Sequence, residues 1–481
     1  MELNELLTKR IGIIGLGVNN IGLTRWLLAH DAQHVTICDA NITLRHDYPE
    51  WESRVSWQLG QQYLRRLVEF DVVFRTPGIP YLHPEIQKAK RAGVVITSQT
   101  KLFFQLSPAR IIGVTGTKGK GTTATLITKI LEEQRVHDRG LPSKKQVTGK
   151  VYLAGNIGRD PFEFLDMLTV RDWVVLELSS FQLQDLDRSP HIAVVLRITS
   201  DHLDHHGSQE EYVRAKLALA AHQYPADQLV LYADGREHRV FAERSQATVW
   251  QFSRQVSVNR GAYVRWIRGS GARYGEIFLR DHGRDRLIAR TYDLKLRGEH
   301  NLENVTAAVT AAYLAGAGLG VIRKTVVHFY GLQYRLQHVG VVAGRTFYND
   351  SFATNPEPTI AALKSFTEPV HLIVGGSSKS ADFHELAREI VGSTVRSLIP
   401  LGRVEGARIA AEVARVAKDR ALTIYPPVDS MREAVTWAYR ASAPGDVILL
   451  SPAAASFDLF PNYKDRGDQF VRAVARLGVR G

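Results

Sequence analysis

The segment ARIIGVTGTKGKGTTATLITKILEE most restricts what this chain can fold into: an apolar strand-like run, a Gly-rich loop and a helix-spaced stretch. A loop of this kind turns backbone N–H groups toward phosphate oxygens, while a lysine neutralises a triphosphate and a hydroxyl serves Mg²⁺. The loop comprises Gly116, Thr117, Lys118, Gly119, Lys120, Gly121, Thr122 and Thr123. Lys120 is the natural phosphate lysine, and Thr122 or Thr123 the hydroxyl. Gly121 follows the lysine and breaks the strict G-x-x-x-x-G-K-[ST] spacing. A bare surface turn is the alternative, but lysines set among these glycines have no packing role.

Strand-like runs alternate with helical stretches on both sides of this loop. RIGIIGLG, HVTICDA, FDVVFRTPG and GVVITS precede it; TFYNDS, HLIVGGSSKS, VRSLIPLG and DVILLSPAAAS follow. This rhythm predicts an α/β chain with largely parallel sheets. A length of 481 residues exceeds one hydrophobic core. Fresh starts of the pattern place boundaries near Pro108 and Leu332, giving domains 1–108, 109–332 and 333–481.

Ligands in open α/β sheets bind at the carboxyl ends of strands, so those ends hold the candidate residues. Gly15 and Gly17 in GLGVNNIG allow a tight turn against a phosphate, and Asp39 ends the next strand, where an acid often meets a ribose. Asn20 stands where the usual third glycine would be, so the readings are a plain strand–turn–helix or a dinucleotide site of an NAD-dependent oxidoreductase. Glu177 closes the apolar run VVLE, beside the phosphate loop in this pattern. Asp201, His202, Asp204, His205 and His206 crowd the next polar loop. Zinc is disfavoured because thiolates and H-E-x-x-H spacing are absent; oxygen and imidazole ligands suit Mg²⁺ at a nucleotide site. For His205 and His206 a polar capping loop is the preferred reading. His300, Asn301 and Asn304 precede an alanine-rich helix and read as an N-cap with ordinary polarity. Asp350, Ser351, Thr354, Asn355, Lys379, Ser451 and Ser456 gather at predicted strand ends of the last domain, a set suited to a small carboxylate.

The net charge of +12 favours anionic partners. Part of the excess sits at 135–150 and 253–276, segments that read as inserted loops or hairpins with a solvated basic surface. No nucleic-acid recognition motif accompanies them. Cys38 is the single cysteine, so no disulfide framework forms within the chain and a reducing compartment is expected. MELNELLTKR carries no apolar signal core, and no run approaches the roughly 18 apolar residues that span a bilayer. The expectation is a cytoplasmic protein.

ELSSFQL, DHLDHHGS, GEHN, DS-ATNP, GG-K-ADF and SPAAASFD-F-N-DRG, taken with the phosphate loop, resemble the Mur ligases along nearly the whole chain and in order. They look specifically like the branch that joins glutamate to a UDP-muramoyl-alanine. The resemblance implies a Rossmann-like UDP-binding domain, a central P-loop ATPase and a Rossmann-like C-terminal domain. It implies ATP and Mg²⁺, with two metal sites, and an alanyl carboxylate that takes the γ-phosphoryl group before the glutamate amine attacks. On matching positions, Gly15, Gly17, Asp39, Thr76, Gly78 and Asn156 would meet the UDP substrate. Lys120 would hold the phosphates, and Thr122, Glu177 and His202 would serve Mg²⁺. Lys216, in EEYVRAK, matches a lysine carbamylated in such enzymes, whereas its bare sequence context reads as a surface lysine paired with Glu211 or solvent. Asn301 would contact adenine, and Arg335 and Asp350 would reach ATP. Thr354, Lys379, Ser456 and Tyr463 would surround the glutamate, expected as the D enantiomer. A monomer without nucleic-acid or membrane partners is expected.

Four positions depart from the usual motifs: Arg197, Tyr334, Gln337 and Phe352, the last in place of a lysine. Gly121 makes the loop similar to that of folylpolyglutamate synthase, a relative without a leading Rossmann unit. An oxidoreductase leaves the ATP loop unexplained, and a regulatory ATPase leaves the last domain's motifs unexplained.

Overall fold

The computed structural model describes residues 2–138, 149–199, 208–235, 237–268, 273–377, 381–418 and 421–478. The chain divides into two compact units, Met1–Asp293 with Leu302–Val326, and Leu294–Asn301 with Val327–Gly481. Among the described residues the architecture is α/β with three sheets.

The first unit holds two of them. One has the order Ser56–Leu59, His34–Asp39, Arg10–Ile14, Val72–Arg75, Val95–Thr97, all parallel. Ile11, Ile13, Ile14, Val73 and Phe74 are fully buried, as strands covered on both faces require. Each such side chain contributes about 1.5–3 kcal/mol of burial. Strand order reverses between Arg10–Ile14 and Val72–Arg75, which opens a crevice at their carboxyl ends. Gly15 turns there at φ 78, and a Cβ on it would lie 2.5 Å from the Thr76 methyl. Only glycine fits, because Thr76 arrives from the neighbouring strand to close the turn.

The second sheet has nine strands. Val151–Gly155, Trp173–Glu177, Arg110–Thr115, Ile192–Val195, Gln228–Tyr232, Thr248–Ser253 and Gly261–Arg268 run parallel, and Arg273–Asp281 and Arg284–Arg290 add an antiparallel edge. The Arg-rich stretch expected as an insertion is thus part of the main sheet. Ala262, Val264, Ile277 and Leu279 alternate inward, while outward Arg265 and Arg280 both pair with Asp285, at 2.8 and 2.7 Å. One apolar cluster, running from Leu6 through Phe103 and Phe162 to Phe241, joins the two sheets of this unit. Trp26 Nε1 donates to Asp166 at 2.9 Å across the same junction.

The second unit carries six strands in the order Gln337–Val342, Arg345–Asn349, Val447–Leu450, Val370–Val374, Val395–Pro400, Thr423–Ile424. Only the first pair is antiparallel. Helices Glu405–Ala417, Met431–Ala441 and Tyr463–Gly478 lay apolar faces on it, making an apolar cluster on each side.

The GEHN segment differs from the expected order. His300, Asn301 and Asn304 lie inside the helix His300–Leu314 rather than ahead of it. Gly298, at φ 93, makes the turn that starts the helix. Asn301 Nδ2 donates to Arg297 O at 2.6 Å, a bond back to the segment ahead of the helix. Cys38 is buried, and burial pushes its thiol up to about 12. Among the described residues no helix is long and apolar enough to cross a membrane.

Candidate active site

Arg110–Thr115 lies between Trp173–Glu177 and Ile192–Val195, so its carboxyl end opens beside Glu177. Gly116 (φ 147) and Gly119 (φ 86) then bend the chain into the helix Lys120–His137. A Cβ at Gly119 would stand 2.0 Å from Asn304 Oδ1, and one at Gly116 would stand 2.6 Å from Leu196 Cβ. The loop is therefore pressed between neighbours, with a helix N-terminus and its positive dipole end behind it.

Lys120 Nζ donates to Gly116 O and Thr117 O at 3.1 Å each and stands 3.9 Å from Glu177 Oε1. Glu177 is buried at the end of its strand. The two candidate hydroxyls separate here. Thr123 is fully buried and directs its Oγ1 at Asn304 Oδ1 (3.4 Å), whereas Thr122 is only half-buried. Thr117 braces the loop from below, its hydroxyl bonded to Thr199 O at 3.1 Å and to Tyr212 Oη at 3.2 Å. Lys118 is exposed. Backbone N–H groups at two positive-φ glycines, a cation and a buried carboxylate are the donor set that a magnesium nucleotide requires, so the residues present fit that group.

Lys216 stands beneath the same loop. It is 1% exposed, within helix Gln209–Ala221, and its Nζ donates to Thr115 Oγ1 at 3.3 Å and Gly116 O at 3.1 Å. The Nζ also lies 4.5 Å from the centre of the Tyr212 ring. Its surroundings overturn the surface-lysine reading. The helix turns this position inward, because Tyr212, Ala215, Leu219 and Ala220 on the same side are all buried.

At the reversal of the first sheet, Thr76 N donates to Ile14 O at 3.1 Å. Asp39 accepts from Leu16 N at 2.8 Å and Asn41 N at 2.9 Å, so its carboxylate fixes the Gly-rich turn. Gly17 lies beside Thr76, and nothing lies within 4 Å of a Cβ built on Gly78. Asn156 is exposed, and its N–H donates to Glu177 O at 2.9 Å, which places it beside the phosphate-side carboxylate.

In the second unit, Asp350 follows Arg345–Asn349 and Ser451 follows Val447–Leu450 on adjacent parallel strands. Ser451 Oγ donates to Asp350 Oδ2 at 2.7 Å, and Leu336 N to Oδ1 at 3.0 Å. Burial pushes the Asp350 carboxyl up to about 7, against the pull of Ser451, Leu336 N–H, Arg335 and Arg466. Ser456 is buried, Tyr463 half-buried and Thr354 exposed. Phe352, at the departed lysine position, packs edge-on against Tyr463 (4.8 Å) and lies 4.0 Å beneath the Arg335 guanidinium.

Arg466, in the DRG of the last motif, is a further residue of this region that the motif pattern alone does not single out. It is fully buried and donates to Ser351 Oγ (3.0 Å), Ser351 O (2.8 Å), Ala454 O (3.0 Å) and Ala455 O (3.1 Å). It therefore holds the Asp350 and Ser451 strand ends in place. Burial lowers its guanidinium to about 10. Asp201, His202, Asp204, His205, His206 and Lys379 lie outside the described residues.

Residues 9–98 match the Mur ligase MurD-like N-terminal domain, 114–312 the Mur ligase middle domain, and 334–454 the Mur ligase glutamate ligase domain. The UDP-N-acetylmuramoylalanine–D-glutamate ligase of Symbiobacterium thermophilum is 40% identical over 484 residues, covering 98% of this chain and 99% of that protein. The ligase of the same name from Acetivibrio thermocellus is 36% identical, covering 98% and 97%. Among solved structures, the UDP-N-acetylmuramate–alanine ligase MurC of Thermotoga maritima shares the fold at a TM-score of 0.56 and 16% identity, over 97% of this chain and 99% of its own. The MurF ligase of Thermotoga maritima in complex with ADP does so at 0.56 and 15%, covering 100% of both chains. Similarity of this extent to the two ligases of one name, together with the three matched domains, makes the chain a member of the Mur ligase family.

Proposed function

We propose that the chain is an ATP-dependent ligase that joins D-glutamate to UDP-N-acetylmuramoyl-L-alanine in peptidoglycan synthesis, through an acyl phosphate. The observation that carries this reading is the phosphate loop flanked by Glu177 and underlain by Lys216, in a chain similar over 98% of its length to ligases of that name. Gly15, Gly17, Asp39, Thr76, Gly78 and Asn156 bind the UDP substrate. Gly116 to Thr123 and Lys120 cradle the ATP phosphates, Asn301 meets adenine, and Arg335 and Asp350 approach the nucleotide. Thr122, Glu177, His202 and a carbamylated Lys216 hold Mg²⁺ in two sites. When bound, the metal supplies neutralisation of phosphate charge. Domain boundaries fall near Pro108 and Leu332, and the protein works as a cytoplasmic monomer.

Formation of the amide needs the alanyl carboxylate to become a better acyl donor. A carboxylate oxygen attacks the γ-phosphorus, the bond to ADP breaks, and the glutamate amine then attacks the acyl carbon. Phosphate departs with that carboxylate oxygen. Lys120 stabilises charge that grows on the transferring group. Thr354, Lys379, Ser456 and Tyr463 hold the amino acid, with Lys379 binding a glutamate carboxylate through charge-assisted hydrogen bonds.

The amino-acid side of the reading is tested by Lys379→Ala. Loss of one charged hydrogen-bond partner is worth about 1.5–3 kcal/mol, which is about 10- to 100-fold in the KM for D-glutamate. The KM for ATP should change far less. Steady-state phosphate release at varied glutamate and ATP reads both, and an unchanged glutamate KM removes Lys379 from the site.

A further inference from the structure

Arg75 is the last residue of strand Val72–Arg75 and has a side chain 1% exposed, inside the first unit. A buried guanidinium is costly unless its hydrogen bonds are met, and an apolar side chain would fill the same space. Its contacts show what the cation does. Nη1 donates to Ile79 O at 2.7 Å and reaches Thr76 O at 3.4 Å. Nη2 donates to Phe181 O at 3.0 Å and stands 3.9 Å from Asp185 Oδ1, whose side chain is 3% exposed. Ser98 Oγ also donates to that oxygen at 3.3 Å. Tyr81 lies against the guanidinium at 5.6 Å.

The two arms of the fork therefore end on different sheets' loops. One arm holds the turn from Thr76 to Ile79, which closes the crevice of the first sheet. The other holds the helical turn Ser180–Leu183, three residues beyond Glu177 at the edge of the phosphate loop. That turn is itself rigid, because Ser179 and Gln182 cap each other reciprocally. A guanidinium is planar with donors in fixed directions, so it sets the spacing of the two loops in a way that a point-charge lysine cannot.

We propose that Arg75 is a positioning residue for the ligase reaction: it locks the acceptor loop Thr76–Ile79 to the turn following Glu177, so that the carboxylate to be activated arrives in register with the phosphate loop. Asp185 is its buried counter-ion. The inference rests on Thr76 and Gly78 meeting the UDP substrate, as proposed above.

The test is the paired variant Arg75→Met with Asp185→Asn, which removes both charges and leaves neither stranded in the core. Misplacement of a bound substrate by about 1 Å costs on the order of 100-fold. The paired variant should accordingly lose about 100-fold in kcat/KM for UDP-N-acetylmuramoyl-L-alanine, while its affinity for ADP, measured by calorimetry, stays within about twofold. Arg75→Lys keeps the charge without the fork and should fall between wild type and the paired variant. A role confined to stability would lower the thermal midpoint and leave the acceptor KM as it is. A folded paired variant with wild-type acceptor kinetics overturns the inference, as does a parallel loss of ADP affinity. Thr76→Val separates the two levels. If it raises the acceptor KM while the paired variant does not, the acceptor site stands and the role of Arg75 falls. If Thr76→Val leaves the KM unchanged, the placement of the UDP substrate falls, and the inference with it.

Discussion

Lys216→Ala should lose about 100- to 1,000-fold in kcat, the range seen when one preorganised charge-stabilising group is removed, and acetate or formate added in solution should restore part of it. The reason lies in where the side chain ends. Its Nζ reaches Gly116 O and Thr115 Oγ1 under the phosphate loop, in a helix position that is 1% exposed. If Lys216 serves Mg²⁺ as proposed, an ammonium at that point would repel the metal. A carbamate supplies the anionic oxygens that a hard cation prefers and keeps one N–H for the carbonyl of Gly116. Small carboxylates mimic those oxygens, and a purely structural lysine would not respond to them. Full activity in the unrescued variant would sink the carbamate.

Lys120→Ala should reduce kcat/KM for ATP by about 100- to 1,000-fold while leaving the fold intact. Alanine is the best helix former, and Lys120 is the first residue of Lys120–His137, with its side chain 19% exposed. Its present bonds to Gly116 O and Thr117 O are ones that a bound phosphate would replace. A melting temperature near wild type combined with near-wild-type turnover would make the lysine a loop brace only.

Much of this was legible in the sequence, because the informative contacts are local. A strand, a Gly-rich turn and a helix follow one another along the chain, so the phosphate loop and the crevice at Gly15 could be read directly. The fate of individual hydroxyls was not. Thr122 and Thr123 are equivalent in the sequence, and they part only because Asn304, far along the chain, meets Thr123. Lys216 read as a surface lysine on its own residues and is buried by the turn of its helix toward Tyr212. Arg466 and Arg75 were invisible for the same reason: a buried arginine is explained by carbonyls from distant segments, Ala454 and Ser351 in one case, Ile79 and Phe181 in the other. The Arg-rich stretch at 253–276 read as an insertion by composition. Pairing of Gly261–Arg268 with Thr248–Ser253 on one side and Arg273–Asp281 on the other binds it into the sheet.

The central claim is that a carboxylate of the UDP substrate is activated by the γ-phosphoryl group of ATP before glutamate attacks it. UDP-N-acetylmuramoyl-L-alanine carrying ¹⁸O in both oxygens of its alanyl carboxylate tests this directly, with ATP, Mg²⁺ and D-glutamate present. Mass analysis of the released phosphate should find one ¹⁸O per molecule, and phosphate release should stop when either the acceptor or the glutamate is withheld. Unlabelled phosphate, or phosphate released at the same rate without the acceptor, would contradict the account.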